Sequence, residues 1–248
     1  MQISITILTK NNEKTIREVL EPLSVFDEVL ILDTGSTDST LERAKPFPNV
    51  KIHHSPFTHF GELKNKAADL ATHDWIFSLD SDEICSQLLL KEIVALNPDK
   101  NCIYSVPRRN YFRGKWIKGC GWHPDLVKRL YNKTSTRFSN DFVHESLISK
   151  GLKMITLQGY LKHTSYDSIH DFMQKMQTYS NLFAIQHQGK KKSSPLKAVM
   201  RGFYTFFKNY ILQKGFLLGK EGFIISCYNA ETTYYKYLLL WERNHSGR

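Results

Sequence analysis

Four short apolar runs recur through the first hundred residues: "ISITILT" (3–9), "EVLILD" (28–33), "VKIHHS" (50–55) and "WIFSLD" (75–80). Each has the length of a strand. The apolar residues in them are nearly continuous rather than alternating, the pattern of strands covered on both faces. The intervening stretches have helical spacing. "NEKTIREVLEPL" places Ile16, Val19, Leu20 and Leu23 on one side, "GSTDSTLERAK" opens with the turn and cap residues Ser36, Thr37 and Asp38, and "GELKNKAADLAT" and "SQLLLKEIVAL" follow the third and fourth runs. Strands alternating with helices predict an α/β, doubly wound, Rossmann-like sheet flanked by helices. In such sheets ligands lie beyond the carboxyl ends of the strands. Those ends carry Thr9-Lys10-Asn11, Asp33-Thr34-Gly35-Ser36 and Asp80-Ser81-Asp82.

From 101 to 165 the pattern changes to strands and loops, "CIYSVPRRNYF", "WIKGCGWHPD", "VKRLYNK", "DFVHESLI" and "MITLQGYLKHTSY", which predicts an antiparallel extension of the same sheet with no linker. The expected organisation is one domain over 1–165, with a ligand-binding part (1–100) and a second part (101–165) on the other side of a cleft. A helical region, basic and aromatic, follows over 166–248. Residues 168–188 read as a helix, and the polar "GKKKSSP" (189–195) closes it. In "KAVMRGFYTFFKNYIL" the cations Lys197, Arg201 and Lys208 share one edge, opposite Val199, Phe203, Phe206, Phe207 and Tyr210. A basic edge against an aromatic face is the pattern of a helix lying in a membrane interface, and equally that of a core helix with a solvated edge.

Charge is distributed unevenly. The first 100 residues hold 10 Lys and Arg against 16 Asp and Glu, and the remainder 24 against 8. An acidic part suited to a metal and a basic part suited to an anionic partner are thereby expected. The four cysteines, at 85, 102, 120 and 227, show no C-x-x-C pairing and read as reduced thiols, and no run is long enough to cross a membrane. With a strand-like N-terminus lacking a basic leader, the expectation is a cytoplasmic chain, peripheral at the inner face of the cytoplasmic membrane through 190–248.

The run "WIFSLDSDEIC" (75–85) crowds Asp80, Asp82 and Glu83 at a strand end. Either distant bases dilute their repulsion or a cation sits among them. Mg2+ or Mn2+, which takes one or two carboxylates plus diphosphate oxygens, would relieve it. Alternatively Asp82 and Glu83 favour the start of the helix near Ser86.

Taken together, "ITILTKNNE", "EVLILDTGSTDST" and "ELKNKAADLATHDWIFSLDSDE" resemble the inverting family-two glycosyltransferases of the GT-A fold. "GWHPDLVKRLYNK", "VHESL", "LKHTSYDS" and "FFKNYILQKGFLLGKEGF" are similar to one subgroup, the lipopolysaccharide inner-core β-glucosyltransferases. The resemblance implies a UDP-sugar donor, UDP-glucose, and a lipid A–core heptose as acceptor; another donor, such as UDP-galactose or an N-acetylated hexosamine, or another glycolipid acceptor is the alternative. It places Thr9, Asn11 and Asp33 around the uridine, Lys64 toward base or phosphate, Asp80 on ribose or metal, and Asp82 on the metal. His163 resembles the late histidine that completes the metal site in some relatives, and a structural histidine is the alternative. Inversion needs a carboxylate base within reach of the acceptor hydroxyl. "NDFVHES" offers Glu145, or else Asp141, with His144 as an acceptor contact. Trp122, His123 and Arg129 are the expected cleft residues of the basic half, since aromatic faces stack on sugars and guanidinium forks grip phosphate. Nucleic acid also suits arginine interleaved with aromatics, but gains nothing from strand-end acids. A binding module without catalysis is the competing class.

Overall fold

A computed structural model describes residues 2–139, 145–166 and 168–245 of the 248-residue chain. In chain order the strands and helices are β1 (Ile3–Thr9), α1 (Ile16–Leu20), β2 (Glu28–Asp33), α2 (Thr40–Ala44), β3 (Val50–His54), α3 (Phe60–Leu70), β4 (Trp75–Asp80), β5 (Glu83–Cys85), α4 (Gln87–Ala95), β6 (Cys102–Phe112), β7 (Lys115–Trp116), β8 (Leu126–Asn132), β9 (Lys153–Thr156), β10 (Leu161–Tyr166), α5 (Ile169–His187), α6 (Pro195–Phe207) and α7 (Lys220–His245). They form two compact units, one of residues 1–109 and 125–163, the other of 110–124 and 164–248.

The first unit is built on the mixed sheet. Its parallel part runs β3-β2-β1-β4, and β8 and then β6 continue it antiparallel. All six residues of β2 and six of the seven in β1 are buried, as their continuous apolar runs require. One face packs Ile5, Ile7, Ile31 and Phe77 against Ile16, Val19 and Leu20. The other packs Leu30, Leu32 and Ile76 against Leu63, Ala67 and Ala68 of α3. Each of the larger side chains contributes about 1.5–3 kcal/mol through burial. β3 is the edge of the sheet and only half-covered, consistent with the polar residues interleaved in its run. Pro22 shortens the first expected helix: α1 ends at Leu20 and a 3-10 turn continues over Glu21–Val25.

Register sets the strand ends level. Thr9 pairs with Asp33, Asp33 with His54, and Leu8 with Asp80. The polar residues that follow β1, β2 and β4 therefore emerge at one edge. Past that edge β5 pairs antiparallel with the start of β10, placing His163 opposite Glu83.

In the second unit α5, α6 and α7 pack beside the segment 110–124, which holds the end of β6, up to Phe112, and β7 and is otherwise loop. A capping box between Ser168 and Asp171 starts α5, and Ser194 with Pro195 starts α6. Phe112, Ile117, Cys120, Phe172, Leu218 and Ile225 form the core. Gly222 is required by close approach: a Cβ there would lie 1.9 Å from the carbonyl oxygen of Gly215. α6 buries its small residues, Ala198 and Gly202, the latter against Ala230 and Tyr234 of α7. Its large residues face outward, with Leu196 72%, Phe203 71% and Met200 61% exposed. No helix among the described residues is long and apolar enough to cross a membrane.

Candidate active site at the strand ends

The loops after β1 and β2 are locked together by side chains. Asn11 takes a left-handed backbone, φ 55°, which asparagine tolerates better than most residues. Its Oδ1 accepts from the Thr37 N–H at 2.8 Å, while its own N–H donates to Ser36 Oγ at 3.0 Å. Asp33 is 2% exposed and accepts from the N–H groups of Gly35 (3.1 Å) and Ser36 (3.2 Å), from the Ser36 hydroxyl, and at 3.3 Å meets His54 Nδ1. Burial pushes its pKa up, but the bonds from Ser36 and Gly35 outweigh this and hold it below the usual carboxylate value. Gly35, at φ +103°, supplies the turn. Asp33 is thus spent on shaping the loop. Thr9 lies inside as well, its hydroxyl donating to Asn12 Oδ1 at 3.0 Å.

Asn12 is the residue that sequence reasoning missed. Its Oδ1 also accepts from the Ser81 hydroxyl at 2.8 Å, and its N–H donates to Thr40 Oγ1 at 2.7 Å. One side chain thereby ties the loop after β1 to the loop after β4. The available signal was an asparagine three residues past the end of a buried strand, where a side-chain amide can replace backbone partners.

The three crowded acids are resolved mainly by the chain's own bases. Glu83 is fully buried; Arg129 and Arg108 both donate to it, the latter at 3.2 Å, and Arg108 also reaches Asp125 at 2.8 Å. Asp80 pairs with Arg129 and, at 3.4 Å, with Lys64. Burial raises the Asp80 pKa, yet Arg129 and Lys64 bring it well below the ordinary range. Burial opposes the charge on Arg129, and Asp80 and Glu83 more than restore it. Arg129, expected on the cleft surface as an acceptor contact, is instead 4% exposed and turned inward, because an uncompensated Glu83 would be costly there. The bridging ion expected to hold the whole cluster is thus not needed by Asp80 or Glu83.

Asp82 is different. Its side chain is one-third exposed, and its Oδ2 lies 3.3 Å from His163 Nε2. Adjacent ligands of an octahedral ion with bonds of about 2.1 Å lie about 3 Å apart. The pair is spaced so that it would hold one Mg2+ or Mn2+ between its two side chains. Among the described residues no group of three or more His, Cys, Asp and Glu forms a complete cage. Lys64 is 8% exposed and also pairs with Glu145 at 3.1 Å, so it links Asp80 to Glu145 across 65 residues of sequence. Glu145 keeps an exposed fraction of 18% in its side chain.

Of the remaining expected site residues, His144 and the alternative base Asp141 lie outside the described residues. Trp122 and His123 belong to the second unit. There Trp122 stacks on Tyr166 with ring centroids 5.5 Å apart, and exposed His123 sets its edge to Trp116 at 5.4 Å.

Residues 4–155 match the model of glycosyl transferase family 2. Over 240 residues the chain is 29% identical to an uncharacterized glycosyltransferase of Rickettsia typhi, covering 91% of this chain and 82% of that protein. It is 25% identical over 238 residues to the lipopolysaccharide core biosynthesis glycosyltransferase LpsC of Rhizobium meliloti, covering 90% and 86%. The mannosyltransferase PcManGT of Pyrobaculum calidifontis, solved with GDP-Man and Mn2+, shares the fold with a TM-score of 0.59 at 13% identity, covering 98% of this chain and 88% of that one.

Proposed function

Because the chain belongs to glycosyl transferase family 2, and so is a glycosyltransferase, we propose that it transfers glucose from UDP-glucose, with inversion and a divalent metal, to a heptose of the lipopolysaccharide inner core. One observation carries this reading: the strand edge holds an Asp82–His163 pair spaced for a metal beside a Glu145–Lys64–Asp80 chain. A relative named for lipopolysaccharide core biosynthesis supports the acceptor, and a fold neighbour solved with Mn2+ supports the metal.

The loop built by Asn11, Asp33 and Ser36, with Thr9 behind it, forms the wall of the nucleoside pocket. Asp82 and His163 would hold Mg2+ or Mn2+, which when bound neutralises charge gathering on the diphosphate. Glu145 serves as base, taking the proton of the acceptor hydroxyl as that oxygen bonds to the anomeric carbon and the bond from that carbon to UDP breaks. Lys64, shared by Asp80 and Glu145, keeps the base placed and the local charge balanced. The outward apolar side of α6 and the basic second half give the enzyme a peripheral place on the inner face of the cytoplasmic membrane.

The experiment is a donor panel: release of nucleoside diphosphate from UDP-glucose, UDP-galactose, UDP-N-acetylglucosamine and GDP-mannose, with truncated core acceptors and Mn2+. UDP-glucose with a heptose acceptor gives the fastest turnover on this reading. Preference for GDP-mannose, the sugar nucleotide in the fold neighbour, replaces the donor, and no turnover with any donor removes the reading.

A further inference from the structure

Within the second unit α5, α6, the chain just after α6 and the middle of α7 line an open cavity of about 580 Å³, inside the range of ligand clefts, roughly 300–1,000 Å³. None of its lining residues belongs to the strand-edge site. Three cations line it, Arg201, Lys208 and Lys236, and no aspartate or glutamate does. Among the described residues none of the three is ion-paired with a carboxylate. Lys236 is half-buried, and burial lowers its pKa. A lysine carried out of water without a carboxylate is a standing cost that a bound anion would relieve.

A second observation points the same way. Thr232 lies one helical turn before Lys236 and lines the same cavity. It is 8% exposed, and its hydroxyl has no hydrogen-bond partner among the described residues. The next residue, Thr233, returns its hydroxyl to the Asn229 carbonyl at 2.9 Å, the usual arrangement in a helix. Thr232 leaves a donor unused instead. The walls are aromatic, with Trp122 stacked on Tyr166 and Tyr204 beside Arg201. Arg201 and Tyr204 also border a smaller hollow with Lys197 and Met200, next to the exposed apolar side of α6.

We infer that this cavity binds the phosphate-bearing sugar headgroup of an amphipathic ligand: Arg201, Lys208 and Lys236 take the phosphate, the aromatic walls take the sugar ring, and the apolar side of α6 receives an attached chain. Cations without acids supply the anion preference, and aromatic faces suit the apolar face of a pyranose. The inference names the acceptor class of the proposed enzyme and rests on that reading for its role, whereas binding itself does not depend on turnover.

The test measures binding by the full chain without any sugar nucleotide. Two probes are used: glucose 6-phosphate against glucose by calorimetry, and phosphatidylcholine vesicles with and without lipid A by sedimentation. Lys236→Gln and Arg201→Gln each weaken binding to the phosphorylated probe about tenfold, since a charge-assisted hydrogen bond is lost. Lys190→Gln, an exposed cation outside the cavity, changes it by less than about twofold. Arg201 is exposed and its variant folds even where Lys236→Gln does not, as far-UV circular dichroism will show. Binding of glucose 6-phosphate with this variant pattern identifies a soluble phosphosugar, and binding of lipid A vesicles alone identifies a membrane-held headgroup; both support the site. Binding of neither probe, equal losses in all three variants, or indifference to Lys236 and Arg201 overturns it. Failure of the donor panel with this pattern intact would count against the enzyme reading and not against the cavity.

Discussion

Arg129→Met offers the sharpest view of how the acid cluster is held. Arg129 is 4% exposed and donates to Asp80 and to Glu83, which is fully buried. Methionine fills much of the same space but removes the charge. Glu83 then keeps only Arg108 at 3.2 Å, and Asp80 keeps Lys64 at 3.4 Å. Removing one partner of a buried pair usually costs about 3–5 kcal/mol. The surviving partners place the expected loss near the lower end, about 3 kcal/mol. For a chain of this size that corresponds to a fall in Tm of about 6–12 °C. Urea unfolding of the wild type and the variant at pH 7 measures it directly. A loss below about 1 kcal/mol would refute the reasoning, because it would mean that Arg129 is not what lets Glu83 stay buried.

Three further outcomes are expected. Glu145→Gln abolishes turnover and leaves UDP binding within about twofold, since the amide cannot accept the acceptor proton; full turnover would move the base elsewhere. Glu28 is 3% exposed; burial raises its pKa, but hydrogen bonds from Lys51, Ser4 and Thr72 lower it from 4.5 to about 2. A carboxyl with a lowered folded-state pKa stabilises fully above its unfolded value, so about 3 kcal/mol is present above pH ~4.5 and disappears as pH falls toward 2. Glu28→Gln removes that slope from the acid limb of the stability profile, and an unchanged limb contradicts the assignment. Gly222→Ala drives a methyl into the Gly215 carbonyl, 1.9 Å away, and lowers stability by about 1–3 kcal/mol or more in a denaturant titration; a neutral result would show that the α7 start can move aside.

The parallel strands were legible because their burial is written into composition: β1 and β2 are covered on both faces, so their runs are nearly unbroken. The strand-end acids were legible as a cluster, but the bases that satisfy them were not. Arg129 reaches Asp80 because β8 pairs antiparallel with β4, Leu130 opposite Phe77, a register that no local pattern specifies. The Asp82–His163 contact depends likewise on the pairing of β5 with β10 across about 80 residues of chain. Resemblance, not spacing, had singled out that histidine. The helical wheel of residues 197–212 separated basic from aromatic positions. Which side would pack was decided by Ala198 and Gly202, whose small size lets α7 approach and leaves Phe203 and Met200 outside. The union of segment 110–124 with the helices is non-local and has no signature in the chain itself.

The central claim is that Asp82 with His163 forms a metal-dependent seat for a sugar nucleotide, and calorimetry of UDP binding with and without Mn2+ tests it most directly. The wild-type chain should bind UDP at least about tenfold more tightly with the ion, as a shared cation would require, and Asp82→Ala should bind it equally weakly in both conditions. UDP affinity indifferent to Mn2+ in the wild type, or an ion effect of full size in the variant, would contradict the account.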